Sequence, residues 1–191
     1  MSLAPLPELL EHARRNHYAV GYFESWDIYS LEAVVDAAEA ERSPVIIGIG
    51  GLTSNHRWLR ERGIALYGAA ANALARRATV PTAVLFNEGD SFEETVSSLC
   101  AGYNAVMMVT QSLPWDRAVA DTAALTAAAH ALGVAVEGEV DGLPEMREGV
   151  LHSEGSELTD VEQAVEFVRQ TGVDCLAVAA GSVHFVTGAY T

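Results

Sequence analysis

Short apolar stretches and amphipathic stretches alternate six times along this chain, and that alternation constrains its fold more than any other feature. Tyr18–Phe23, "SPVIIGIGG" from Ser43 to Gly51, Val80–Phe86, Ala105–Val109, Val134–Val140 and Cys175–Ala180 read as buried strands. Ser30–Ala40, Ala65–Ala78, Ser91–Ala101, Pro114–Leu132 and Asp160–Gln170 have helical spacing. Asp90 or Ser91 caps the third of these helices, and Thr159 is the expected N-cap of the last, with Glu162 at the capping-box position. Pro144–Leu158 reads as an irregular loop. Strand–helix alternation of this kind builds a parallel sheet with right-handed crossovers. Residues that end its strands are therefore the first candidates for chemistry.

Composition excludes several classes of function. With 26 acidic against 11 basic residues the formal charge is −15, which disfavours nucleic acid and anionic membrane as partners. Every basic residue is arginine; the chain has no lysine. Schiff-base chemistry, pyridoxal-phosphate attachment and a P-loop all need that amine. The two cysteines, Cys100 and Cys175, read as reduced core thiols of a cytoplasmic protein. No signal peptide and no membrane-spanning apolar run is evident. "GIGG" at Gly48–Gly51 is a strand-end turn, since Thr53 and the following residues do not open a nucleotide-binding helix.

Three places carry unusual charge. In "AVLFNEGDSFE" (83–93), Asn87 and Glu88 sit where a buried strand ends. In "VAVEGEV" (134–140), Val134 and Val136 face one way and Glu137 and Glu139 the other. If helices cover the valines, both carboxylates point into a barrel or crevice; the alternative is an edge strand with a wet face. His184 follows the last strand, as a ligand or as a hydrogen-bonded loop residue. With Glu88 and Glu139 it would suit a divalent metal. His12, His17, His56, His130 and His152 lack partner spacing and read as surface or core residues.

"AVGYFESWDIYSLEAVVDAAEAERSPVIIG", "DSFEETVSSLCAGYNAVMM", "AHALGVAVEGEV" and "TDVEQAVEFVRQTGVDCLAVAAGSVH" together resemble, in order and spacing, the class II fructose-bisphosphate and tagatose-bisphosphate aldolases. The resemblance implies an α/β fold, a TIM-type (β/α)8 barrel, here a single domain over residues 1–191 with about six βα units, strands seven and eight being absent. It implies metal-dependent aldol cleavage of a phosphorylated ketose, with zinc as the cofactor and magnesium or manganese as alternatives. A role in carbohydrate metabolism such as glycolysis goes with it. The alternative is a non-catalytic member that binds a small molecule or serves in assembly.

By that resemblance Asn87 stands where the family has its acid/base aspartate, and Glu88 where it has a zinc-binding histidine. Glu139 corresponds to a glutamate that contacts the metal, and His184 to a ligand histidine whose following glycine is here Phe185. The mobile loop's proton-abstracting glutamate falls at Arg147, with Glu148 or Glu145 able to replace it after a small shift. Glu24 replaces an asparagine and Gly50 a serine. The resemblance thus assigns Asn87 and Glu148 to catalysis, and Glu88, Glu139 and His184 to the metal. These departures gather at the active end, so the site is either rebuilt or retired, and little cleavage of fructose bisphosphate is expected. An open six-stranded arc also exposes edge hydrogen-bonding groups, so a covering partner chain, in a homo-oligomer, is expected.

Because the chain lacks lysine, borohydride added with any ketose or aldehyde should trap no covalent adduct on an internal residue, as read by intact-protein mass spectrometry. A stoichiometric, activity-linked adduct would contradict this.

Overall fold

The computed structural model describes residues 2–50, 55–147, 150–152 and 158–184. Helix α1 (Leu6–Asn16) precedes strand β1 (Gly21–Glu24), then come α2 (Ile28–Glu41) and β2 (Val45–Gly50). A single turn α3 (His56–Trp58) runs through a π-helical segment (Leu59–Gly63) into α4 (Ile64–Arg77). The chain continues as β3 (Thr82–Gly89), α5 (Phe92–Ser98), β4 (Ala105–Met108), α6 (Trp115–Ala131) and β5 (Ala135–Glu139). It ends in a small hairpin, β6 (Glu145–Arg147) and β7 (Val150–His152), followed by α7 (Val161–Thr171) and β8 (Cys175–Ala177).

Six strands pair in parallel in the order β1-β2-β3-β4-β5-β8. The sheet is a curled half-barrel, an incomplete TIM-type barrel, as the strand–helix alternation implies. Its two faces separate by the pleat. Val45, Ile47, Ile49, Val84, Phe86, Val106, Val134 and Val136 pack outward against helix residues such as Leu31, Val35, Ala71, Leu125 and Ala129. Fully buried side chains of the size of Phe86 contribute about 1.5–3 kcal/mol each. The other face carries Ile46, Ala83, Leu85, Ala105, Met107 and Ala135, and α1 covers it with Leu6 and Leu9.

Helix α1 lies outside the six-fold alternation read from sequence. Its signal is present in Leu6, Leu9, Leu10 and Ala13 behind Pro5 and Pro7, a first-turn proline pattern. The segment before it is tied to the sheet: Ala4 N donates to Thr82 O at 2.9 Å and Thr82 N to Ser2 O at 2.6 Å. Asn104 locks this end, because its Oδ1 accepts from Val84 N and its Nδ2 donates to Ala4 O, both at 2.7 Å.

Local signals at helix ends hold in most places. Asp27 and Ser30 form a reciprocal cap on α2, with Ser30 N donating to Asp27 Oδ1 at 2.7 Å. Ser91, rather than Asp90, caps α5. Two expectations are corrected. The N-cap of α7 is Asp160, whose side chain accepts from Gln163 N; Thr159 Oγ1 instead accepts from Ala179 N and ties the helix start to the chain after β8. Within 144–158, the stretch expected to be irregular, β6 and β7 pair antiparallel from Glu145↔His152 to Arg147↔Val150. Three-residue strands are too short to show a period.

Both cysteines are free, but Cys100 is exposed rather than in the core; Cys175 lies on the inner side and burial pushes its thiol up to about 12. No helix among the described residues is long and apolar enough to cross a membrane. His130 Nε2 meets Asp174 Oδ2 at 2.9 Å, and the same oxygen accepts from Val136 N, so this histidine has a structural partner.

Replacing Asn104 with alanine should leave Val84 N–H and Ala4 C=O without these partners and cost about 2 kcal/mol, read as a lower urea midpoint. An unchanged midpoint would show that the clamp carries no weight.

Candidate active site at the carboxyl ends of the strands

Val134 and Val136 lie under the helices, so Glu137 and Glu139 do point to the inner face, as the first of the two sequence readings required. Glu24, at the end of β1, and Asn87, two residues beyond Leu85 on β3, share that face by parity. Strand β2 adds no side chain near its end, because Gly48 and Gly50 run close against β3. A Cβ on Gly48 would stand 1.9 Å from Leu85 O, and one on Gly50, at φ +124°, 1.8 Å from Asn87 O. Only glycine fits either place.

Glu88 is reached through an irregularity. The β3–β4 register shifts between Phe86 and Gly89, and Glu88 adopts φ 49°, the left-handed region. Such a conformation costs a non-glycine residue about 1–3 kcal/mol and persists only where its surroundings impose it. Next to it, Arg60 Nη1 from the π-helical segment binds Asp90 Oδ2 at 2.7 Å and Glu94 Oε2 at 3.2 Å, pinning the turn that follows the strand. The bulge is what brings the Glu88 charge to bear on Tyr22, Glu137 and Glu139.

The electrostatics follow from crowding carboxylates in partial burial. Desolvation raises Glu137, and the charge of Glu88 adds to it. Desolvation pushes Glu139 up to about 7, helped by Glu88, Glu137 and Asp141 and opposed by a hydrogen bond with Thr110. Glu139 Oε2 and Asp141 Oδ2 are both buried with no hydrogen-bond partner. Thr110 Oγ1 donates to the Glu139 carbonyl at 2.8 Å, fixing the end of β5. Desolvation also raises the Tyr22 phenol, with Glu24 and Glu88 adding to the effect. This arrangement can hold a proton near neutral pH, the property a general acid–base group needs.

Of the residues proposed from sequence, Asn87, Glu88 and Glu139 come to this end of the sheet. His184 lies beside the β6–β7 hairpin: its N donates to Pro144 O at 2.8 Å, its carbonyl accepts from Met146 N at 2.9 Å, and it bridges Glu145. Glu148 lies outside the described residues. Sequence reasoning passed over Tyr22 and Asp141, although counting in twos from Glu24 and from Glu139 reaches both.

Among the described residues no group of three or more His, Cys, Asp or Glu side chains that could hold an ion is present. The donors that do share the inner face are carboxylates, and a proton answers the charge of Glu139. As they stand, the described residues do not form a preassembled zinc centre.

The raised Glu139 sets a pH dependence. Its folded-state value lies above the ordinary 4.5, so the folded protein holds the proton more tightly. The stability it contributes is full below about 4.5 and is lost as pH rises towards about 7. Metal-free protein should therefore lose on the order of 3 kcal/mol across that window, and Glu139→Gln should flatten the slope in urea titrations. A slope that Glu139→Gln leaves unchanged would refute the assignment.

A family model described as "Fructose-bisphosphate aldolase class-II" matches residues 4–190. A probable fructose-bisphosphate aldolase of Bacillus subtilis is 34% identical over 184 residues, covering 96% of this chain and 64% of its own length. The fructose-bisphosphate aldolase of Geobacillus stearothermophilus is 34% identical over 184 residues, covering 96% and 63%. Among solved structures, the YdjI aldolase from Escherichia coli K12 has a TM-score of 0.77 at 30% identity, covering 94% of this chain and 61% of that one. The chain spans a little under two thirds of the length of these relatives. Shared residues along nearly the whole of it, on a shared half-barrel, place it: the chain belongs to the class II fructose-bisphosphate aldolase family.

Proposed function

We propose that this chain carries the carboxylate half of an aldolase-type lyase site, acting on a phosphorylated ketose or a related sugar. The single observation behind this reading is the set of acidic side chains at one end of the parallel sheet, with Glu139 poised at about 7. Aldol cleavage needs a base to remove a hydroxyl proton, a carbon–carbon bond to break, and an acid to return a proton to the carbanion carbon. Glu139 has the proton affinity for either transfer at neutral pH. Asn87 orients a substrate oxygen by hydrogen bonding and moves no proton. Glu148 is the second proton-transfer residue of this proposal, by the family resemblance alone.

The family depends generally on a divalent metal. Since the described residues do not gather as a ligand set, no step here runs through one. Substrate charge is a further constraint. Arg60 and Arg117 stand on the helical segments after β2 and β4, and carboxylates occupy both: Asp90 and Glu94 for Arg60, Asp121 for Arg117. A phosphate would therefore be gripped by groups other than these two.

The second reading, a non-catalytic member that binds a small molecule, is favoured by Asn87 in place of a carboxyl. The two separate in one experiment. Purified chain, with and without magnesium, manganese or zinc, is assayed for aldol cleavage on a panel of ketose phosphates. The first reading expects measurable turnover on at least one, little or none on fructose bisphosphate, and a gain on the latter in the double variant Asn87→Asp, Glu88→His. Ligand binding without turnover on any substrate would favour the second. Efficient cleavage of fructose bisphosphate by the unmodified chain would contradict the rebuilt site.

A further inference from the structure

All three tryptophans of this chain stand in connections that leave the carboxyl ends of strands: Trp26 after β1, Trp58 after β2 and Trp115 after β4. Two of them are held by the helical layer. The Trp58 ring lies against Gly63 of the π-helical segment, and the Trp115 ring meets Phe167 of α7 edge-on, with centroids 5.8 Å apart. Trp26 is held by its backbone and by its polar edge. Its N donates to Ser30 Oγ at 3.2 Å, the same hydroxyl that accepts from Asp27 N in the cap of α2. Its indole Nε1 donates to Glu24 Oε1 at 3.3 Å. Glu24 is the inner-face carboxylate at the end of β1, and its charge bears on the Tyr22 phenol. Trp26 is nevertheless 67% exposed, against 41% for Trp58 and 37% for Trp115.

We propose that Trp26 and Glu24 form a sugar subsite on the rim of the mouth, the indole face packing on a C–H face of the ligand while the Glu24 carboxylate accepts from its hydroxyls. The choice of a sugar rests on the aldolase reading, which the subsite deepens by naming what binds at the β1 corner. An indole whose N–H is already engaged offers an apolar face, and a ring fixed at two points loses little freedom when a ligand covers it. A carboxylate has about four acceptor positions, and the indole N–H takes one of them. That pairing of an apolar face with an acceptor matches a molecule with C–H groups on one side and hydroxyls around its edge. Charge narrows the ligand further. The carboxylates of Glu24 and Asp27 flank Trp26 in sequence, one bonded to its ring and the other capping α2, so a phosphate is disfavoured here. The part of the ligand seated on Trp26 is therefore its uncharged, hydroxylated end. Trp26 and Glu24 determine specificity and move no proton.

The test is ligand-observed NMR on the full chain, with D-fructose and D-fructose 1,6-bisphosphate as probes and EDTA present so that no cation contributes. Saturation transferred from the protein should concentrate on the C–H protons of one face of D-fructose, and the sugar should change the indole emission. Trp26→Leu should weaken D-fructose binding about tenfold and abolish the emission change, whereas Trp26→Tyr, which keeps an aromatic face, should retain most of the affinity. Glu24→Gln should weaken binding several-fold. The urea midpoint of Trp26→Leu should stay at that of the unmodified chain, because the side chain is mostly exposed. D-fructose that does not bind, binding that Trp26→Leu leaves unchanged, tighter binding of the bisphosphate through Trp26, or a lowered midpoint in Trp26→Leu would each overturn the proposal. These readouts need no turnover. Sugar binding lost in Trp26→Leu would stand even if no ketose phosphate were cleaved, and cleavage with a KM indifferent to Trp26→Leu would leave the aldolase reading in place while removing the subsite.

Discussion

Everything in this half-barrel depends on the two-residue repeat of its parallel strands. Each strand places alternate side chains under helices and the rest towards the barrel axis, and the chain assigns the two sets different chemistry. Outward positions are valine, isoleucine and phenylalanine in close contact with helices. Inward positions change along the strand, from small or apolar residues over α1 to carboxylates at the far end. Packing at one end thus frees the other to hold groups that no core would accept.

Those groups are held at some cost. Two carboxylate oxygens are buried without partners, and Glu88 sits in a conformation that side chains avoid. The surroundings that impose it are identifiable: Gly50 pressed against the Asn87 carbonyl, Arg60 across Asp90 and Glu94, and Ser91 capping α5. Strain and uncompensated charge in one place are the signature of a site rather than of a scaffold. Here they coincide with the positions where this chain departs from the family pattern it resembles, Asn87 and Glu88 above all.

The absence of lysine and the carboxylate-rich inner face point the same way. A site without an amine cannot form a Schiff base, and with Glu139 near neutrality it can pass protons through oxygen. The scattered histidines take other work. His130 partners Asp174 in the turn before β8, His12 Nδ1 lies 2.7 Å from Tyr18 OH, and the His184 backbone is bonded to Pro144 and Met146, on either side of Glu145.

Sequence alone determined the strand–helix alternation, the parallel sheet, the direction of Glu137 and Glu139, and the family, because all of these are written in local periodicity or in ordered runs of residues. It left α1 and the β6–β7 hairpin unread, the first because no strand precedes it to mark it as part of the strand–helix alternation, the second because three residues show no period. It misplaced the cap of α7, where Thr159 and Asp160 are equivalent locally and only the return of the chain at Ala179 decides between them. Tertiary structure alone decided the rest: the bulge that turns Glu88, the burial that raises Glu139, and the placing of His184 beside Glu145. Each of these depends on contacts between residues far apart in the chain, which no pattern along it records.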